Sequence, residues 1–336
     1  MKKTVLLISL LVFVLGLSSC SPSDVRISDK KFPDWRLMSS IRRVDTDNNG
    51  YLSKDELEAC TDLSISGPCS DLTGIEYLTN LETLTLVYGC SDLSGIDHLT
   101  NLKTFRISEQ CPDLAVIETL PNLETIELYE CVFTDTFVFE NEMSVAKLNL
   151  KYCVFEKGIL CKNNSVENVT FDNCATGGDV VFADCDGLKS FDAEFHPTDR
   201  DLIQFINDHD PEYFESMTKQ SYNVDLSGCD NMDSFRLSNR QVITSVDVSN
   251  SSTLRSFTIL DWRDDDVDEI TLNISGCPNI EDAYIGAEGV KEIDIRDCPH
   301  LISATGQTPS DKDWCTEYES EDGHLFSSNE QLVIKK

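Results

Sequence analysis

Three stretches of this chain are near copies of one another. Residues 69–81 read CSDLTGIEYLTNL, residues 90–102 read CSDLSGIDHLTNL and residues 111–123 read CPDLAVIETLPNL, a fixed step of 21. Such a period permits few folds. One unit is too short to bury its own apolar face, so stability must come from stacking equivalent units. The apolar residues keep the same step. Leu81, Leu84 and Leu86 are followed by Leu102, Phe105 and Ile107, then by Leu123, Ile126 and Leu128. Val145, Leu148 and Leu150 come next, and then Val166, Val169 and Phe171. The last two of each triplet alternate, which puts both on the inward face of a short strand, and the first belongs to the turn before it. A cysteine closes each unit: Cys90, Cys111, Cys131, Cys153 and Cys174.

This L-x-x-L-x-L pattern followed by cysteine resembles the leucine-rich repeat. The added L-x-x-I-x-x-L-x-x-L run of the first three units resembles the internalin type. They depart from it by one extra residue between strand and cysteine, as in Leu86-Val87-Tyr88-Gly89-Cys90. The resemblance implies an α/β-type repeat solenoid, a right-handed coil with short parallel strands, over roughly residues 60 to 305. In the later units Cys229, Cys277 and Cys298 end strands in the same way, and Ser251 fills the equivalent place 22 residues after Cys229. Core triplets there begin at Met232, Ile243 and Leu254, a step of 11, which predicts strand-like segments on both faces of each coil.

Stacked coils place equivalent residues in an internal column. A thiol is small, weakly polar and readily buried, and its S–H can reach a carbonyl that the turn leaves unpaired. A disulfide scaffold is the rival. The chain has 14 cysteines, 13 besides Cys20, an odd number in a chain far larger than domains that need such staples. Neighbouring rungs about 4.8 Å apart still permit occasional bridges, with Cys60, Cys69, Cys161 and Cys315 the candidates. Zinc is disfavoured, because no C-x₂-C pair exists and the five histidines are scattered.

The first residues, MKK, precede an apolar run from Val5 to Leu17 and then Ser18-Ser19-Cys20. That run is short for a membrane span and reads as a signal peptide over residues 1–19. Leu17-Ser18-Ser19-Cys20 resembles the bacterial lipobox, which implies Cys20 as a lipidated N-terminus; an ordinary secretory signal is the alternative. Several acyl chains, at about 0.8 kcal/mol per buried CH₂, would hold the protein on a membrane, with the outer membrane the expected address. Cleavage removes Lys2 and Lys3, leaving 25 basic against 60 acidic side chains, a net −35 over 317 residues. Such a surface repels nucleic acid and attracts cations.

Residues 45–56 read DTDNNGYLSKDE and match an EF-hand calcium loop. Asp45, Asp47 and Asn49 supply side-chain oxygens, Gly50 allows the sharp turn, and Tyr51 offers its carbonyl. Ser53 acts through water, and Glu56 closes the site with both carboxylate oxygens. An Asx-rich turn without an ion is the bland alternative. Phe32, Trp35, Met38, Ile41 and Val44 form one helical stripe ahead of the loop, and Ser53-x-x-Glu56 is a capping box for a short exit helix to about Cys60. Only three ligands are charged and no second loop exists to pair with, so calcium affinity is expected on the order of 10⁻⁴ M, as in extracellular modules. An EF-hand loop running into the first repeat resembles surface proteins of gut bacteria, in which this module caps the solenoid's exposed first turn.

The resulting organisation is a tether over 20–31, a calcium cap over 32–60, repeats over 61–193 and 222–305, and a C-terminal cap over 306–336. Residues 194–221 interrupt the repeats. Thr198 and Asp201 open one expected helix and Asp210-Pro211 a second. His196, Asp199, Asp201, His209 and Asp210 lie too far apart around a helix of about ten residues to make a compact metal site. Asp261–Glu269 is an acidic loop, with a weak cation site as the minority alternative. The outward strand positions are the expected partner face, with Arg106, Glu127 and Asn149 in one lane and Tyr129 and Lys151 in the next. Few aromatics occupy these lanes, which favours an extracellular or envelope protein over a sugar. Two functions follow: a non-enzymatic, adhesin- or receptor-like binding protein, or a surface hydrolase or glycan-binding accessory protein with its site in the 194–221 insertion.

Overall fold

The computed structural model describes residues 24–109, 111–139, 145–162, 165–196, 219–261, 270–286, 290–299, 301, 316–320, 323–327 and 333–335. Cys20, Cys315, the acidic run 262–269 and residues 197–218 of the insertion lie outside them. No helix among the described residues is long and apolar enough to cross a membrane.

The chain is a parallel-strand, leucine-rich-repeat solenoid with little helix. Its long sheet has twelve strands, running from Asp62–Ser66 through one strand per coil to a terminal hairpin of Gly323–Ser327 and Thr316–Ser320. Register is unbroken across it: Leu84 pairs with Phe105, Phe105 with Ile126, Ile126 with Leu148, Leu148 with Val169 and Val169 with Phe191. A one-residue slip would turn these buried side chains to solvent, so the alternating pattern itself fixes the pairing. Farther along, Phe191, Phe235 and Phe257 stack with centroids 5.6 and 5.0 Å apart.

The opposite wall changes character along the chain. In the first three coils it consists of short 3₁₀ turns, Ile75–Tyr77, Ile96–His98 and Ala115–Thr119. From Phe137–Phe139 onward it is a second parallel sheet of eight strands. The step of 11 at Met232, Ile243 and Leu254 thus marks alternation between two sheets, and the two-sheeted form begins well before that step, at Phe137. The switch follows composition. L-x-x-I-x-x-L spacing suits a helical turn, whereas Phe137-Val138-Phe139 and Ile159-Leu160-Cys161 alternate.

The strands Thr83–Val87, Thr104–Ser108, Thr125–Tyr129, Lys147–Lys151 and Asn168–Asp172 are each followed by a residue with left-handed backbone, which swings the chain into the turn. Tyr88, Glu109, Glu130, Tyr152 and Asn173 hold this place, with φ between 51° and 68°. The second coil needs two such residues, Tyr88 and Gly89 (φ 75°), which accommodates the extra residue before Cys90. From Glu130 on, the left-handed residue immediately precedes the cysteine, so the cysteine step drops to 20 between Cys111 and Cys131.

The thiols line the interior as expected. Cys90, Cys153, Cys161, Cys174, Cys185, Cys229 and Cys277 are fully buried. Their S–H groups reach carbonyls: Cys153 to Leu128 at 3.4 Å, Cys174 to Leu150 at 3.4 Å, Cys229 to Phe182 at 3.0 Å and Cys277 to Val248 at 3.4 Å. Ser251 donates to the Cys229 carbonyl at 2.7 Å, so a hydroxyl does serve in that column. Among the described residues one bridge forms, and it was not among those expected: Cys111 bonds to Cys131, with Cα atoms 5.7 Å apart. Cys60, Cys69 and Cys161 remain thiols. A second ladder went unread in the sequence. Asn80, Asn101 and Asn122 each donate to a carbonyl of the preceding coil, those of Glu58, Thr79 and Thr100, at 3.2, 2.8 and 2.8 Å, and Asn231 and Asn279 do the same at Asp186 and Ser252.

Candidate functional site

The 45–56 loop sits between two short helices, α1 (Trp35–Ile41) and α2 (Lys54–Ala59). Its fold is dictated by its own polar side chains. Asp45, only 6% exposed, accepts from the Asn49 and Gly50 amides at 3.1 and 2.9 Å. Asp47 accepts from the Asn49 amide at 3.0 Å, and Asn49 Oδ1 accepts from the Tyr51 amide at 2.7 Å. Gly50 has φ 83° with open space around it, so it is required for its backbone conformation. The expected capping box is present: Ser53 Oγ accepts from the Glu56 amide, and Glu56 Oε2 accepts from the Ser53 amide.

These contacts bring carboxylate oxygens of Asp45, Asp47 and Glu56 within 4.8 Å of one another. Three converging carboxylates repel, and a hard cation is what relieves that repulsion. Burial alone would raise the Glu56 carboxyl, but hydrogen bonds from Ser53 and Thr46 outweigh it and hold its pKa down at about 2. The group is therefore ionised at any physiological pH. All the donors gathered here are oxygens, which suits calcium or magnesium and not zinc. Asn49 and Ser53 flank the cluster, each already engaged within the loop, and Tyr51 lies in the short strand that leaves it.

A second strand braces the loop from one side. Strand β2 (Tyr51–Leu52) pairs antiparallel with β1 (Val25–Arg26), Val25 opposite Leu52, and the Ile27 amide donates to the Gly50 carbonyl at 3.0 Å. The N-terminal segment thus completes a two-stranded sheet against the loop. Leu52 is fully buried.

The cap also grips the first coil. Asp34, the N-cap of α1, accepts from the Arg36 and Leu37 amides through Oδ1 and from the Ser70 amide and hydroxyl, at 2.9 and 3.0 Å, through Oδ2. Burial pushes its pKa up, but these bonds prevail and lower it. Phe32 packs so closely on Gly74 that a Cβ there would lie 2.4 Å from the ring. Pro33-Asp34 ahead of an apolar helix is an N-cap signal that could have exposed this role in the sequence. The helical stripe expected there is corrected in one place. Trp35 is 60% exposed and covered by the Arg36 guanidinium 3.8 Å from its ring, while Leu37, Ser40 and Ile41 face inward.

On the strand face, register places Arg106 beside Glu127, Glu127 beside Asn149, and Tyr129 beside Lys151. Arg106 Nε lies 2.6 Å from Glu127 Oε2, and Lys151 Nζ lies 2.7 Å from Asp172 Oδ2. Tyr129 is 39% exposed and meets the Tyr152 ring edge-on at 5.5 Å. Burial, with Glu130 and Tyr152 nearby, raises its pKa, so it stays a neutral phenol. Arg236, which the sequence analysis did not single out, extends this face by pairing with both Asp192 and Glu194, at 2.8 and 3.1 Å. Of the insertion's candidate residues only His196 is described, and its Nε2 lies 2.8 Å from Ser238 Oγ.

No protein-family profile and no curated protein sequence matches this chain. Among solved structures, it is similar to an internalin, InlF, of Listeria monocytogenes, with 16% identity and a TM-score of 0.37 over 81% of this chain and 92% of that one. It is also similar to the functional domain of InlJ from the same organism, described as including a cysteine ladder, with 15% identity and a TM-score of 0.28 over 93% of this chain and 70% of that one.

Proposed function

We propose that this chain is a lipid-anchored, calcium-stabilised binding protein of the bacterial cell envelope that offers its strand face to a protein partner. The observation that carries the reading is the face itself: a continuous run of parallel strands whose outward lanes hold cross-coil ion pairs, Arg106–Glu127, Lys151–Asp172 and Arg236–Asp192, around an exposed Tyr129. Pairs held in register across coils favour electrostatic selection of a partner over non-specific adhesion. The loop of Asp45, Asp47 and Glu56 takes calcium and keeps the first coil closed, and acyl chains on Cys20 keep the assembly at the membrane.

The test uses the protein lacking its acyl group, crosslinked to envelope and extracellular proteins. A partner recovered with the native chain and lost with Arg106→Glu and Lys151→Glu together supports the reading. Equal recovery with both proteins removes the strand face from consideration. Anchoring is checked separately: Cys20→Ala should move the protein from the membrane fraction to the soluble one.

A further inference from the structure

Where the opposite wall changes from 3₁₀ turns to strands, the chain leaves a groove. Its lining includes Pro112, Asp113, Phe133, Asp135, Phe137 and Val138. The cause is geometric. Strands stack about 4.8 Å apart, and the 3₁₀ turn Ala115–Thr119 is too bulky to approach a neighbouring strand at that spacing. The first strand of the eight-stranded sheet, Phe137–Phe139, is therefore an edge strand. Phe137 donates to the Gly158 carbonyl at 3.0 Å and Phe139 accepts from the Lys162 amide at 3.1 Å. Alternate residues of a ladder point their backbone groups to opposite sides, so the N–H and C=O of Val138 face away from that neighbour and into the groove. Val138 is also 43% exposed.

Another edge in the same part of the molecule is treated differently. The three-stranded sheet of Val132–Phe133, Val154–Phe155 and Ala175–Thr176 ends at Thr176, and there a side chain closes it. Gln241 Oε1 accepts from the Thr176 amide at 2.9 Å, and Gln241 Nε2 donates to the Thr176 carbonyl at 2.7 Å. That amide acts as a surrogate strand. At the groove end, Val138 receives no such partner among the described residues.

We infer that this groove binds an extended, basic peptide segment, which adds as a strand to the Phe137–Phe139 edge. Backbone pairing with Val138 supplies the attachment. Phe133 and Phe137, whose centroids are 4.7 Å apart, supply an apolar floor for alternate side chains. Among the described residues the lining carries Asp113, Glu118 and Asp135 and no lysine, arginine or histidine; Lys157, outside the lining, already pairs with Asp135 at 2.5 Å, and the acidic surplus that remains selects for lysine or arginine on the segment. The site lies on the wall opposite the strand face, so it stands or falls independently of the partner proposed there.

The probe is fluorescein-labelled Lys-Val-Lys-Val-Lys, added to the calcium-loaded chain starting at Ser21 and followed by anisotropy. Saturable binding is expected, weaker by about tenfold for the Glu-Val-Glu-Val-Glu counterpart and for a peptide N-methylated at alternate residues. Amide hydrogen exchange at Val138 should slow on saturation. Val138→Pro deletes the groove-facing N–H and keeps both bonds to the neighbouring strand; it should weaken binding about fivefold at unchanged melting temperature. No saturable binding at millimolar peptide, equal binding of the N-methylated peptide, or unchanged exchange at Val138 would overturn the inference. So would sedimentation showing that the chain dimerises through this edge, which would make a second copy the occupant.

Discussion

Val25 and Leu52 stand opposite one another in an antiparallel pair, so a residue of the N-terminal segment holds the 45–56 loop in place. In paired EF-hands a second loop provides such a strand; here the N-terminal segment does. The bond from the Ile27 amide to the Gly50 carbonyl is the part that a single substitution can delete. Ile27→Pro should weaken calcium binding about fivefold, the equivalent of one hydrogen bond, as measured by calorimetric titration. An unchanged affinity would mean that the loop is rigid without its neighbour.

Calcium itself should raise the melting temperature, because a ligand that binds only the folded state stabilises it in proportion to its excess over the dissociation constant. At 10 mM Ca²⁺ and a dissociation constant of about 10⁻⁴ M, the gain is about 2.7 kcal/mol. Scanning calorimetry with and without chelator reads it, and Asp45→Ala should abolish the shift. No shift in the native chain would remove calcium from the cap.

Glu56 makes the apo protein acid-sensitive in a defined window. Its folded pKa of about 2 is below the ordinary value of 4.5, so the unfolded state binds the extra proton between these values. The contribution is fully present above pH 4.5 and is lost as pH falls toward 2. Denaturant melts in chelator across this range should show a slope that Glu56→Gln reduces.

The buried thiols should resist alkylation. Burial pushes Cys229 and Cys277 up to about 12, which leaves almost no thiolate at pH 8, and shielding adds to this. Mass spectrometry after iodoacetamide treatment of the native protein should find Cys298, the partly exposed thiol, modified ahead of both. Rapid modification of Cys229 would contradict an interior column.

Gln241→Leu keeps the volume and removes the amide that closes the Thr176 edge. Both Thr176 backbone groups, in a fully buried residue, then lose their partner. A loss on the order of 3 kcal/mol is expected in urea unfolding, since each buried unsatisfied group costs about 1–3 kcal/mol. Gln241→Glu should also destabilise the chain, because it replaces the donor to Thr176 with an acceptor.

Much of this fold was legible because a solenoid writes its core into the sequence once per coil. Leu84, Phe105, Ile126, Leu148 and Val169 announce one column, and the thiols announce another. The clustering of Asp45, Asp47 and Glu56 was legible for a different reason: their spacing is local. What escaped was long-range or depended on a single turn. Nothing near Gln241 points to Thr176, 65 residues away. The Cys111–Cys131 bond falls where the left-handed turn loses a residue, a change hidden among steps of 21 and 22. Trp35 was assigned inward by apolarity alone, whereas Arg36 covers it on the outside.

Most of the side-chain bonds between coils share a direction; Thr136, which donates to the later Lys157 carbonyl at 3.4 Å, runs the other way. Asn80, Asn101, Asn122, Cys153, Ser251 and Asn279 each reach back to a carbonyl of an earlier coil. These coils are thus sealed in large part by groups that leave the ribosome after them. Growth of the structure has a built-in polarity: the N-terminal cap emerges first as a template, and each new turn of chain seals the one before it.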